Sequence, residues 1–368
     1  MAELISICLY LIIIAFMTYV SKYAFHSRKK HLRQIGKLTM AVCPALVAAF
    51  RGTTGTDTGM YVNSYYHLQE VASERSNGFE VGYGFLIEVF NYLGAPHEAF
   101  LFFMSFITIL FFLMFIEKEK DYIDVRFSCF LFFINLYMFS LNAMRQCVAI
   151  TMGLYAYSLY REKKYVRYVA ITLLASTIHV TGLMGLAVAV CDVFFKGKHY
   201  KGLTFISVLL GGILIFNRTA LVDIMTNLTN ADYAAYIAAD FGATGSIVSF
   251  AAKNIIPLFF LTVTFLSIQK TDARRICYVL TYAGYVLTML CLITGTQADR
   301  IGYNFQTLNI LTLSHALVSK TWFYCGKRKI VLEKQSKKVI LYVFFFLLYS
   351  FNWFYKRFGG LVPYAPFV

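Results

Sequence analysis

Charged residues are scarce in this sequence, at 14% of the chain, against about a quarter in an average soluble domain. That scarcity excludes a soluble surface of ordinary polarity. The acidic residues are the scarcer sign, 19 against 34 basic ones, leaving a formal charge of +15. Eight cysteines are present, but no C-x-x-C or other paired spacing joins them, which argues against a disulfide framework and a zinc site. They read as small buried hydrophobes. Histidines and carboxylates at metal-ligand spacing are missing too, so neither a metal nor a cofactor is expected. No internal repeat is visible, which counts against a transporter built from inverted halves.

What is abundant is apolar surface. The chain is 59% hydrophobic and 18% aromatic, with a mean hydropathy of +0.62. Long apolar runs (Ile5–Val20, Ala99–Ile116, Ile247–Ile268, Ile276–Ile293, Val339–Phe354) recur from end to end and leave no room for a sizeable soluble domain. The reading is therefore an all-α, polytopic membrane protein forming a single membrane domain over 1–368. Ile5–Val20 reads as a retained first span, because no small-residue cleavage site follows it closely.

The charge invites a nucleic-acid reading, and its placement rejects it. Six short connectors (Lys22–Lys37, Lys118–Arg126, Arg161–Arg167, Lys196–Lys201, Lys270–Arg275 and Lys320–Lys338) hold 26 of the 34 basic residues. By the positive-inside rule these are cytoplasmic, with anionic membrane lipids as counter-charge. An even number of spans must then separate any two of them. This divides the run after Arg167 near His179, and Phe127–Tyr160 near Asn142. About twelve segments result, at 3–21, 36–50, 98–116, 127–141, 145–160, 165–178, 180–195, 202–216, 247–267, 276–294, 304–320 and 339–355. The outer loops are then 51–97, carrying an amphipathic helix, 217–246, and Gly295–Tyr303.

Arg145 stands in an otherwise almost wholly apolar stretch, and a guanidinium at membrane depth needs a partner or a water-filled cavity. Asn142, Arg145 and Gln146 share a helical face with Ala149, Gly153 and Ala156, suited to lining an outer-face cavity. Arg51-Gly-Thr-Thr-Gly-Thr-Asp57 offers a glycine-threonine loop whose backbone donors are candidates for an anion; it lacks the Gly-Lys-Ser/Thr ending of a nucleotide loop. Glu80 opens an amphipathic outer segment with Tyr83, as a favourable charge at its helix amino terminus or as a group with a chemical role. His179 lies between two apolar runs, as a hydrogen-bonded core residue or beside the same cavity as Arg145. Asp299, Arg300 and Tyr303 fill a short outer loop. Arg51, Arg145 and Arg300 together suit a multiply charged anion such as pyrophosphate.

In order and membrane position these residues resemble the EpsG family of Wzy-type polysaccharide polymerases. The match runs through Arg51…Gly55-Thr-Asp57…Tyr61, Glu80…Tyr83…Leu86, Asn142-x-x-Arg145-Gln146-x-x-Ala149, His179 with Thr181-Gly182, and Arg300-x-x-Tyr303, over roughly residues 40 to 310. The resemblance implies an enzyme of the bacterial cytoplasmic (inner) membrane. Its donor and acceptor are undecaprenyl-diphosphate-linked oligosaccharide repeat units, joined by glycosyl transfer at the outer face, and a chain-length regulator is a further expected partner. Arginines stabilise the departing diphosphate. His179 is the favoured general base, ahead of Asp57 and Glu80. Outer-face tyrosines stack on sugars or anchor the interface. The alternatives are a lipid-linked oligosaccharide ligase and, further off, a polysaccharide or lipid transporter.

Overall fold

The computed structural model describes residues 2–73, 79–196, 247–268, 275–294 and 299–366. The outer loop expected at 217–246, the segment at 202–216 and most of Lys196–Lys201 lie outside them. Among the described residues, three helices are long and apolar enough to cross a membrane: Ala2–His26, His97–Glu119 and Lys334–Tyr355, at mean hydropathies of 2.3, 2.7 and 1.4. Shorter apolar helices account for other expected segments, so helix length supports a membrane protein without establishing twelve spans.

The helices α1 (Ala2–His26) and α2 (Lys30–Ala49) form an antiparallel pair. In α1, Tyr10, Ile13, Ile14, Met17, Ser21 and Ala24 are buried at three-to-four-residue spacing, while Leu4, Ile5, Ile12 and Phe16 face outward. Short helices α3 (Thr58–Tyr66), α4 (Leu68–Ser73) and α5 (Val81–Tyr92) then lead to α6 (His97–Glu119). α5 buries Tyr83 and Ile87, while Val81, Phe85 and Tyr92 are exposed, so its outward face is apolar as well. It approaches α10 (Tyr165–Ile178) so closely that a Cβ at Gly82 would collide with Thr177.

Between them runs the most buried part of the chain. α7 (Val125–Leu131) begins on Asp124, whose carboxylate accepts from the Phe127 N–H at 3.1 Å. It passes through a π-helical turn, Phe132–Tyr137, into α8 (Met138–Ser140). The chain breaks at Leu141–Ala143, and α9 (Met144–Arg161) starts there, buried on nearly every side and packed against α6 and α10. The turn from α9 to α10 is closed by Lys163 in the left-handed region. α10 stops at His179, whose extended backbone opens a 3-10 segment, Val180–Leu186, before α11 (Ala187–Lys196).

After α12 (Ile247–Ser267) and α13 (Arg275–Thr294), two expectations fail. Asp299–Gln306 is helical (α14) where an outer loop was expected to reach Tyr303, and the predicted segment at 304–320 is interrupted before α15 (Asn309–Val318). The basic connector Lys320–Lys338 holds an antiparallel hairpin, β1 (Thr321–Cys325) with β2 (Arg328–Leu332), turning at Gly326 with φ of 60°. An all-α description omits it, because Trp322, Phe323, Ile330 and Val331 favour strands between basic residues. α16 (Lys334–Ser350) continues as a π-helical turn to Tyr355. A tail, Phe358–Ala365, folds back over the loop at Arg51–Asp57.

Candidate functional site

Helix lengths place the site. At 1.5 Å per residue α6 is about 35 Å long, α9 about 27 Å and α10 about 21 Å, beside a hydrocarbon core of about 30 Å. α9 and α10 are joined by a tight turn at one end, so Arg145 and His179 share the other. The short helices end lower than α6, and α3 and α5 roof the step.

Under that roof, Arg145 donates from Nη1 to Glu80 Oε2. The guanidinium lies 4.9 Å from the ring centre of Tyr83 and 5.2 Å from that of Phe79. Its Nε is buried with no hydrogen-bond partner among the described residues. The other Glu80 oxygen accepts from the Val180 N–H at 3.3 Å, so one carboxylate ties α9 to the break after His179. Glu80 stands at the N-cap position of α5 and makes no capping hydrogen bond to it; its carboxylate is engaged by Arg145 and the Val180 N–H instead.

Tyr61 is buried among Arg145, Asp57 and Arg51, and burial pushes its phenol upward, keeping it neutral. Arg51 is 1% exposed. Its Nε donates to the Thr58 hydroxyl at 3.1 Å and Nη2 approaches the Met144 sulfur at 3.9 Å. No carboxylate among the described residues pairs with it, and burial lowers its affinity for a proton. Two guanidiniums thus flank one tyrosine, against a single paired carboxylate. Asp57 is partly exposed and makes no side-chain cap to α3.

Most backbone donors of the glycine-threonine loop are taken up within the protein. Thr54 and Thr58 N–H donate within the loop, at 2.9 and 3.2 Å. Gly55 and Thr56 N–H donate to the carbonyls of Gly360 and Gly359, each at 3.0 Å, and Asp57 N–H donates to Asn142 Oδ1 at 3.0 Å. Asn142 also accepts from the Thr56 hydroxyl at 2.8 Å, making it a fastener between loop and α9. The tail is the part that sequence reasoning missed. Its visible signal was Gly359-Gly360 and Pro363 after the last apolar run.

His179 Nδ1 lies 3.3 Å from the Thr181 N–H and 2.9 Å from its hydroxyl oxygen. An amide N–H can only donate, so Nδ1 accepts, and the neutral ring carries its proton on Nε2. Tyr83 is fully buried, with Tyr61 and Tyr65 nearly so; they pack beneath the roof with Phe100 and do not offer ring faces to a sugar. Tyr303 donates to Asn135 Oδ1 at 2.5 Å and packs on Phe139. The side chains of Asp299 and Arg300 lie outside the described residues. Gln146 is buried one position beyond Arg145. Of the small-residue stripe, Ala149 and Gly153 line a cavity of about 40 Å³ with Thr181, Gly182 and Asn304. That is room for a few waters, not a glycan.

Comparison with curated proteins and with solved structures returns no match. The EpsG family model matches residues 34–365, a span that takes in the Arg51 loop, the Glu80–Arg145 pair, His179 and the closing tail. The chain belongs to the EpsG family, whose members are Wzy-like polymerases.

Proposed function

We propose that this protein polymerises polysaccharide repeat units carried on a polyprenyl diphosphate, at the outer face of the bacterial cytoplasmic membrane. The observation that carries the reading is the convergence of Arg145 and Arg51 on Tyr61, where the short helices α9 and α10 end. In the reaction an acceptor hydroxyl oxygen bonds to the donor's anomeric carbon, the bond to the diphosphate breaks, and the electron pair leaves with the diphosphate. Negative charge grows on that group, where Arg145 stabilises it directly and Arg51 supplies positive potential from beneath Tyr61. Arg300 is the further cation of this proposal.

The hydroxyl proton needs an acceptor. The tautomer set by Thr181 supports His179 as an Nε2–H donor towards the leaving group, not the base first expected of it. Glu80 is occupied by Arg145 and the Val180 N–H. Its partial exposure beside Tyr61 supports Asp57 as the carboxylate that takes the proton.

The test is purified protein with lipid-linked repeat units, products resolved on a gel. A ladder that survives EDTA is expected. Transfer to a different lipid-linked acceptor without a ladder would make the protein a ligase, and a ladder lost to EDTA and restored by a divalent ion would reject charge stabilisation by arginine alone.

A further inference from the structure

The opposite ends of α2, α6 and α9 enclose a second cavity, of about 440 Å³. This is within the size range of small-molecule pockets. Its walls are Leu38 and Ala41 of α2 and Phe106, Leu110, Leu113 and Met114 of α6. Leu38 is 62% exposed and Leu110 38%, so the cavity opens sideways, through surface that on a membrane-crossing helix faces hydrocarbon. A water-soluble ligand would have to enter through the bilayer. A bilayer lipid reaches it directly.

The floor is charged. Lys37, Glu117 and Lys118 line it, where α6 reaches the basic connector. Glu117 binds both Lys37 and Lys120, each at 2.7 Å, and Glu162 binds both Lys118 and Lys164, each at 2.7 Å. Four lysines share two carboxylates, which leaves two positive charges beside an apolar groove. The Lys37 and Lys118 ammoniums also sit near the rings of Phe25 and Tyr155, at 5.4 and 5.8 Å, which steadies them at the mouth.

We propose that this groove is a binding site for one anionic glycerophospholipid of the cytoplasmic leaflet, its phosphate held between Lys37 and Lys118 and an acyl chain lying along α2 and α6. The charge complementarity selects an anionic headgroup, and the sideways opening selects a bilayer lipid. The site is separate from the proposed reaction centre: Tyr155 and Arg145 are ten residues apart on α9, about 15 Å along its axis.

The experiment uses the full-length protein in neutral detergent, supplied with phosphatidylglycerol or phosphatidylcholine of identical chains, with retained lipid counted by native mass spectrometry. One phosphatidylglycerol should be held about thirtyfold more tightly than phosphatidylcholine, the factor given by two lysines at about 1 kcal/mol each. The double variant Lys37→Gln/Lys118→Gln should lose that preference, and Leu110→Trp, which obstructs the groove without touching a charge, should lower retention of both lipids. Equal retention of the two lipids by the unaltered protein overturns the proposal, a result that needs no variant to fold. Selective retention undiminished in both variants also overturns it, by placing the lipid elsewhere.

Discussion

At the residue scale, Arg145 carries the most weight, because two functions compete for its planar donors. It fastens α5 to α9 through Glu80, and in the proposed reaction it faces a diphosphate. Arg145→Lys keeps the charge and loses the fork of donors and the flat face over Tyr83, so polymerisation should fall about a hundredfold with little change in membrane expression. Ladder formation at the unaltered rate would remove Arg145 from the chemistry. The pairing role separates by reversal. Glu80→Ala leaves a buried guanidinium uncompensated and should lower the unfolding temperature, while Arg145→Glu/Glu80→Arg should recover stability without recovering polymer. Recovery of both would make the pair structural only.

His179 gives a sharper distinction at the same scale. A glutamine side chain can donate from its amide nitrogen but cannot take up a proton. If His179 acts as a donor, His179→Gln should retain much of the rate, His179→Phe should not, and Asp57→Asn should abolish elongation while donor still binds. An inactive glutamine variant with active Asp57→Asn would return the base to His179.

At the element scale, helix breaks do the positioning. The interruption at Leu141–Ala143 and the extended residue at His179 come from polar residues set between apolar runs, and both were legible from the basic connectors on either side. If α9 and α10 each cross the membrane, Val180 and Lys163 lie on opposite sides of it. Single cysteines at these positions, in an otherwise cysteine-free variant, should react with an impermeant thiol reagent from opposite sides. Labelling of both from one side would show that the hairpin does not cross the membrane.

At the scale of the whole molecule, the tail closes the loop that follows α2. Gly52 has a φ of 55° and pairs with Ala365 across a β-bridge, and a Cβ there would collide with the Ala365 carbonyl. Gly52→Ala should therefore cost about 1–3 kcal/mol, read as a lower unfolding temperature. Ending the chain after Arg357 removes the acceptors of the Gly55 and Thr56 amides and should destabilise the same loop. A truncated chain with unchanged melting and activity would show the tail to be dispensable.

Composition and charge order alone determined that the chain is a helical membrane protein, and residue pattern was enough to indicate the EpsG family, whose model spans residues 34–365. These properties are one-dimensional: burial of long apolar runs and the side on which basic connectors remain depend on local sequence. Which groups meet did not. That Glu80 pairs with Arg145 instead of capping its own helix, that Asn142 fastens a loop, that Tyr83 shields a cation, and that a tail takes up two of the loop amides were decided only in the fold. A side chain or amide has more possible partners along the sequence than it can engage, and burial makes it engage whichever of them the packing brings within hydrogen-bond reach.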